Sequence, residues 1–255
     1  MLEQERKKTI LRLLALRSFA NIHDVVETTG ASEATIRRDF SEMEKEKLVR
    51  RVRGGVELAR PEGLAPLLEQ PLDRRLNINQ EKKRRIARKA CDYIQDGDTV
   101  MIDGGSTTFH MVEHLCRFSI TVITNSFAIA QHLVMYSRSA VILPEGTVNL
   151  DSKLILNNLS ADAFGNYHAA RTFMGIEGIT ETVLTNSDPL LIQMERSMIG
   201  NSQELVILAD DSKLGAIGHL TLCPVERASK IITTIDADAS LVASLRSKGI
   251  EIVQV

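Results

Sequence analysis

Apolar positions fall into two textures that change near residue 80. In the first stretch Ile10, Leu13, Leu14 and Leu16 follow a charged turn at helical spacing, which predicts a helix over 3–16. Asn21 is placed to cap a second short helix, with Asp24 three residues on and Ile22, Val25 and Val26 apolar. Gly30 ends that helix, and Ser32 is a good cap for a third. There Ile36, Phe40 and Met43 share one face and leave Thr35, Arg37 and Arg38 pointing outward. Leu48–Arg53 and Val56–Leu58, joined by Gly54-Gly55, predict a β-hairpin with a cationic rim. Two helices around a glycine turn, followed by such a hairpin, predict a winged helix-turn-helix over 1–58.

Pro61, Gly63, Pro66 and Pro71 then mark a linker, taken as 59–79. Beyond it comes a basic helix with Lys82, Lys83, Arg84, Arg85, Arg88 and Lys89 outward and Ile86, Ala90 and Ile94 inward. Short apolar runs follow, and they predict strands over 99–102, 120–124, 140–143, 172–175, 205–209, 230–234 and 250–253. Helices are expected near 107–116, 126–136, 188–201 and 238–248. The alternation implies an α/β domain over 80–255 with a largely parallel sheet.

Charge sharpens this division only slightly. Net charge is −2, but residues 1–60 hold 13 Lys and Arg against 10 Asp and Glu, a balance of +3 that leaves −5 for the rest. A polyanion-binding chain as a whole is excluded; a small basic patch is not. Cys91, Cys116 and Cys223 are far apart in the chain, which points to a reducing compartment. With no signal-like N-terminus and no stretch approaching the roughly 18 apolar residues of a membrane span, the cytoplasm is expected.

Candidate chemistry sits at both ends. Arginine binds guanine bidentately or pairs with phosphate, so Arg37 and Arg38 on the third helix and Arg50, Arg51 and Arg53 on the hairpin point to DNA, with Ser32 and Thr35 suited to phosphate or base edges. In the second region Asp103-Gly104-Gly105-Ser106-Thr107-Thr108 follows a strand and opens a helix, a loop suited to an anion. Thr124-Asn125-Ser126 and the loop containing Asp210 and Lys213 also follow strands, where open α/β sheets bind ligands. Three such loops favour a small polar anion over three solvated turns. No nucleotide or dinucleotide motif is present. His110-Met111-Val112-Glu113-His114 matches an inverted zinc-protease pattern, but no third ligand is marked out, so no metal and no cofactor are expected.

Thr35-Ile36-Arg37-Arg38-Asp39-Phe40 with Arg53-Gly54-Gly55 closely resembles the signature of DeoR/GlpR-type bacterial regulators of sugar metabolism. The resemblance continues through Arg74, Lys82, Asp103–Thr107, Thr124–Ser126, Gly175-Ile176-Glu177-Gly178-Ile179 and Asp210–Gly215. It implies a winged-helix repressor fused to a domain resembling ribose-5-phosphate isomerase and glucosamine-6-phosphate deaminase. That domain would sense a phosphorylated sugar or sugar acid, in a homo-oligomer, dimer or tetramer. By resemblance Gly105, Ser106 and Thr107 hold the phosphate, while Asn125, Asp210 and Lys213 contact the rest of the effector; Gly175 and Glu177 join the set. Two departures stand out: Pro144-Glu145-Gly146-Thr147 replaces the family's Gly-Gly-Thr, and no lysine is found near Glu195–Met198. The stretch Ser187–Met198 is similar to the ascorbate-utilisation repressor branch. The alternative is a sugar-phosphate isomerase or deaminase-like enzyme, for which no acid–base pair can be assigned.

Overall fold

The computed structural model describes residues 3–16, 19–46, 48–52, 54–58, 71–157 and 163–255. The chain divides into two compact units, Met1–Ala65 and Pro66–Val255.

The N-terminal unit runs α1 (Glu3–Leu16), β1 (Phe19–Asn21), α2 (Ile22–Thr29), α3 (Glu33–Lys45), β2 (Val49–Val52) and β3 (Gly55–Leu58). Its core is Ile10, Leu14, Val25, Ile36, Phe40, Met43, Val49 and Val56, the periodic positions of the sequence. Gly30 ends α2 with φ of 68°, a left-handed conformation that glycine adopts without steric cost. The hairpin is joined by β1, which the sequence pattern did not predict, giving the strand order β1-β3-β2. A Cβ on Gly55 would lie 2.1 Å from the Ala20 carbonyl oxygen, so only glycine lets β1 pair so closely.

The C-terminal unit begins with α4 (Leu72–Asn77) and α5 (Gln80–Ala90). The linker expected over 59–79 therefore ends in a helix, whose Leu72 and Arg75 face inward; residues 59–70 lie outside those described. Next come β4 (Thr99–Ile102), α6 (Ser106–Phe109), α7 (Val112–Leu115), β5 (Thr121–Thr124), α8 (Phe127–Tyr136), β6 (Ala140–Ile142), β7 (Thr147–Val148) and β8 (Ile155–Leu156). They are followed by β9 (Ala169–Gly175), β10 (Gly178–Ile179), β11 (Val183–Asn186), α9 (Pro189–Gly200), β12 (Ser202–Leu208), β13 (Leu220–Pro224), β14 (Lys230–Thr233), α10 (Ala239–Ser247) and β15 (Glu251–Gln254).

Seven strands form one parallel sheet in the order β15-β14-β12-β9-β4-β5-β6. All seven predicted strands are in it, and the central ones are buried on both faces and hence read as continuous apolar runs. A small antiparallel sheet, β10-β11-β13, was not anticipated. The helix expected over 107–116 is two four-residue helices interrupted at His110 and Met111, so a long-helix dipole is not available there. From β4 the chain moves outward through β5 and β6, then returns to the other side of β4 at β9. The strand order thus reverses between β4 and β9, where open α/β sheets leave a crevice at the carboxyl ends.

Candidate functional site

In the N-terminal unit the Ser32 side chain accepts from the Thr35 N–H at 3.2 Å and starts α3. Thr35 is half-buried, whereas Arg37 and Arg38 are exposed. Arg37 is tied to Glu33 one turn back, Nη2 to Oε1 at 2.6 Å. On the hairpin Arg50 and Arg51 are exposed; Arg51 Nη1 donates to Ser41 Oγ at 3.2 Å and its N–H to Glu44 Oε1 at 3.0 Å, joining the hairpin to α3. Arg53 lies outside the described residues. What fixes α3 was not read from the sequence: Asp39 is buried, and Arg6 of α1 grips it through Nε at 2.7 Å and Nη2 at 3.0 Å.

In the C-terminal unit a cleft of about 120 Å³ opens at the strand-order reversal. It gathers Asp103, Gly104, Gly105, Ser106 and Thr107 after β4, Gly175 and Glu177 after β9, and Asp210 and Lys213 after β12. Thr108, Thr124, Asn125 and Ser126 do not line it. Thr108 Oγ1 closes the loop by accepting from Gly105 N–H at 2.9 Å. Thr124 Oγ1 accepts from Ser126 N–H, and Ser126 caps α8. Asn125 stands behind the loop, its Oδ1 accepting from Gly104 N–H at 2.7 Å and its Nδ2 donating to Asp103 Oδ1 at 3.0 Å.

The glycine amides are thus engaged inside the protein. Within this loop the first-turn N–H groups and hydroxyls of Ser106 and Thr107 are the donors left for an anion, since a helix's first N–H groups have no intrahelical acceptor. Gly104 serves close packing: a Cβ there would meet Leu154 Cδ2 at 1.9 Å.

Arg75, Lys83, Asn186 and Glu195 also line the cleft and escaped the sequence reading. The resemblance had marked Arg74 and Lys82, but each stands one place away from the residue that faces the cleft. Arg74 is exposed, and Lys82 pairs with Asp211 at 2.7 Å and Asp236 at 3.0 Å. Arg75 and Lys83 are buried, and Lys83 Nζ donates to the Arg75 carbonyl oxygen at 2.6 Å. A signal existed: Lys83 shares its helix face with Ile86, Ala87 and Ala90, Arg75 with Leu72, and Glu195 with Leu191 and Met198. A charge set into an apolar stripe marks a buried polar site.

Burial governs the electrostatics. It pushes Lys83 down to about 8 and pulls Arg75 below the usual guanidinium range, against the opposing charges of Asp103 and Glu177 on the latter. It pushes Asp103 up to about 6, although the Asn125 and Gly104 hydrogen bonds and Arg75 act the other way. Glu195 is held well above the ordinary carboxylate range by burial and by the charge of Asp103, and both its oxygens lie within 2.7 Å of Asn186 Nδ2. Asn79, between α4 and α5, also lines the cleft, in a left-handed conformation with φ of 53°. Such backbone is held in place by its surroundings and clusters at ligand sites. His110 Nε2 lies 3.4 Å from the Leu76 carbonyl oxygen. Among the described residues no group of His, Cys, Asp and Glu is arranged around a metal position, and no helix is long and apolar enough to cross a membrane.

The chain is similar over its full length to the HTH-type transcriptional regulator UlaR of Shigella dysenteriae serotype 1 (strain Sd197) and of Escherichia coli (strain K12 / DH10B). Each is 28% identical over 259 aligned positions that cover 100% of both proteins. Among solved structures it is similar to ribose 5-phosphate isomerase A from Methanocaldococcus jannaschii (21% identity, TM-score 0.40, 53% of this chain and 55% of that one). Another is the translation initiation factor eIF-2B of Pyrococcus horikoshii OT3 (12% identity, TM-score 0.40, 91% and 82%). Residues 6–62 match the DeoR-like helix-turn-helix domain, and residues 78–234 match the DeoR C terminal sensor domain. These matches favour the regulator over the enzyme alternative. With the sensor-domain match alone spanning more than half of its length, the chain belongs to the DeoR family of transcriptional regulators.

Proposed function

We propose that this regulator represses a carbohydrate-utilisation operon in the cytoplasm and that a phosphorylated sugar or sugar acid in the C-terminal cleft controls it. The observation that carries the effector reading is the convergence of three strand-end loops on one cleft containing Lys83, Lys213 and Arg75. In this reading Ser106 and Thr107 donate N–H and hydroxyl groups to the phosphate, and Lys213 supplies its counter-charge. Asp103, Glu177, Asn186 and Asp210 accept from or donate to sugar hydroxyls. Asn125 acts from behind, by fixing Gly104 and Asp103.

For DNA, α3 enters the major groove with Ser32, Thr35, Arg37 and Arg38, and the hairpin sets Arg50, Arg51 and Arg53 against phosphates. A homo-oligomer, dimer or tetramer, presents successive recognition helices to an operator. Effector binding shifts the population towards an arrangement with lower operator affinity, and by linkage the operator weakens effector binding by the same factor.

Selection of duplexes from a random pool by the full-length chain should return a preferred sequence, and Arg37→Ala with Arg38→Ala should lose it. Phosphosugars and phosphorylated sugar acids should raise the melting temperature through mass action. A flat melting temperature across that panel overturns the effector reading; enrichment of no sequence overturns the operator reading.

A further inference from the structure

A phosphate held at Ser106, Thr107 and Lys213 leaves one cation of the cleft without a task. Arg75 is only 9% exposed, and its Nε and Nη2 atoms have no hydrogen-bond partner among the described residues. These two nitrogens belong to one edge of the guanidinium, the fork that makes paired parallel bonds to a carboxylate. The same edge of Arg6 shows the filled state, gripping the two oxygens of Asp39 at 2.7 and 3.0 Å. Buried donors left unmade are costly, so an empty fork at a cleft wall marks a place for an acceptor that arrives from outside.

The cleft's own carboxyls do not fill it, although the charges of Asp103 and Glu177 reach it. Asp103 Oδ1 accepts from Asn125, and Glu195 is held by Asn186. Glu177 accepts from Ser187 Oγ, and Asp210 from Ser212. The backbone that carries the fork is also fixed in position. The Arg75 N–H donates to the Pro71 carbonyl oxygen at 3.2 Å, and its own carbonyl oxygen is clamped by Lys83.

We propose that the Arg75 fork binds a carboxylate on the effector, so that the cleft selects ligands carrying both a phosphate ester and a carboxylate over phosphosugars with an uncharged head. The inference rests on the reading of this cleft as the effector site. Arg75 is then a specificity residue: the phosphate supplies affinity common to the class, and the fork separates acids from alcohols. A carboxylate lying flat on the fork takes up two of the buried donors at once, whereas a hydroxyl leaves one unmade.

Titration calorimetry on the full-length protein tests this with matched pairs that differ only in the oxidised end: 3-phosphoglycerate against glycerol 3-phosphate, and 6-phosphogluconate against glucitol 6-phosphate. Inorganic phosphate is run alone. The acid of at least one pair should bind roughly ten-fold tighter than its alcohol, the scale of charge-assisted hydrogen bonds in a buried site. Arg75→Lys keeps the charge and removes the fork; it should bring that ratio below about three while leaving the alcohol's affinity within about three-fold. Equal affinities in the unaltered protein, or a ratio that survives Arg75→Lys, overturns the inference and leaves the effector reading standing. A loss of inorganic phosphate binding in Arg75→Lys with no acid preference assigns the fork to phosphate, which also overturns it. If no phosphate ester binds, the effector reading falls and the inference falls with it.

Discussion

Arg6 in the N-terminal unit and Arg75 in the C-terminal unit both turn the same guanidinium edge away from water, yet one edge closes on Asp39 and the other meets no partner among the described residues. The first is a finished structural pair. It fixes α1 to α3 and so sets the helix that carries Arg37 and Arg38. The second is an unfinished pair in a cleft where neighbouring carboxyls are engaged elsewhere. A buried charge is structural where the protein itself supplies the partner, and is free to serve a ligand where it does not.

If Arg6 is structural, its removal should cost the protein more than the loss of any cleft or surface charge. Arg6→Ala leaves Asp39 buried and unpaired, and breaking such a pair costs about 3 kcal/mol or more. Denaturant unfolding followed by far-UV circular dichroism should show the N-terminal unit lost first. Replacing both partners, Arg6→Met with Asp39→Leu, should restore most of that stability because no orphan charge remains. If the double variant is no more stable than Arg6→Ala, the pair is not what holds α3.

Next in size is the output surface. Arg37→Ala with Arg38→Ala should weaken operator binding by roughly a hundred-fold, the combined scale of two arginine contacts to DNA. Its stability should change little, since the Arg37–Glu33 pair is more than half exposed on both sides and such pairs contribute little. Loss of DNA binding together with a large drop in stability would instead make these residues structural.

The same distinction explains what the sequence made legible. The parallel sheet was readable because strands buried on both faces stand out as apolar runs such as Val100–Ile102 and Leu205–Leu208. The strand-end loops were readable because glycine, serine and threonine at such ends have few other reasons to cluster. β1 was missed because a three-residue strand has no period to detect, and its pairing depends on Gly55, distant in sequence. α4 was hidden by the prolines before it. Arg75, Lys83 and Glu195 were missed because charged side chains read as solvent-facing; only the apolar stripe they share shows their direction. Asn125 was read as a contact residue and stands behind the loop, since polarity at a strand end does not reveal which way a side chain turns.

Glu195 is the acidic counterpart of Arg75, a buried charge in the same cleft, and its effect on stability is smaller. Its folded pKa is raised, so its contribution to stability is full below the unfolded value near 4.5 and is lost as pH rises through the folded value. Glu195→Gln cannot titrate and keeps an acceptor for Asn186. The variant should match the unaltered protein near pH 4 and become the more stable of the two as pH rises. Melting temperatures across that range measure it. A variant that grows less stable than the unaltered protein as pH rises would mean that the ionised carboxylate is structurally satisfied.

The smallest expected effect is the most discriminating, because it separates two adjacent lysines. Lys82 reaches Asp211 and Asp236 near the surface, whereas Lys83 is buried and clamps the Arg75 carbonyl oxygen of α4. Lys82→Ala should shift the melting temperature by less than about 2 °C and leave ligand affinity unchanged, since ion pairs open to solvent on one side add little. Lys83→Met should weaken phosphate-ester binding several-fold by removing a cation from the cleft and loosening the carbonyl that holds Arg75 in place. Burial lowers the pKa of Lys83 to about 8, so its own contribution to stability is present above the unfolded value near 10.5 and is lost as pH falls through 8. Near pH 7 the lost hydrogen bond and the relieved burial of charge therefore oppose each other, and the net stability change should be small. Equal ligand affinities in the two variants would show that helix register does not decide which charge reaches the cleft.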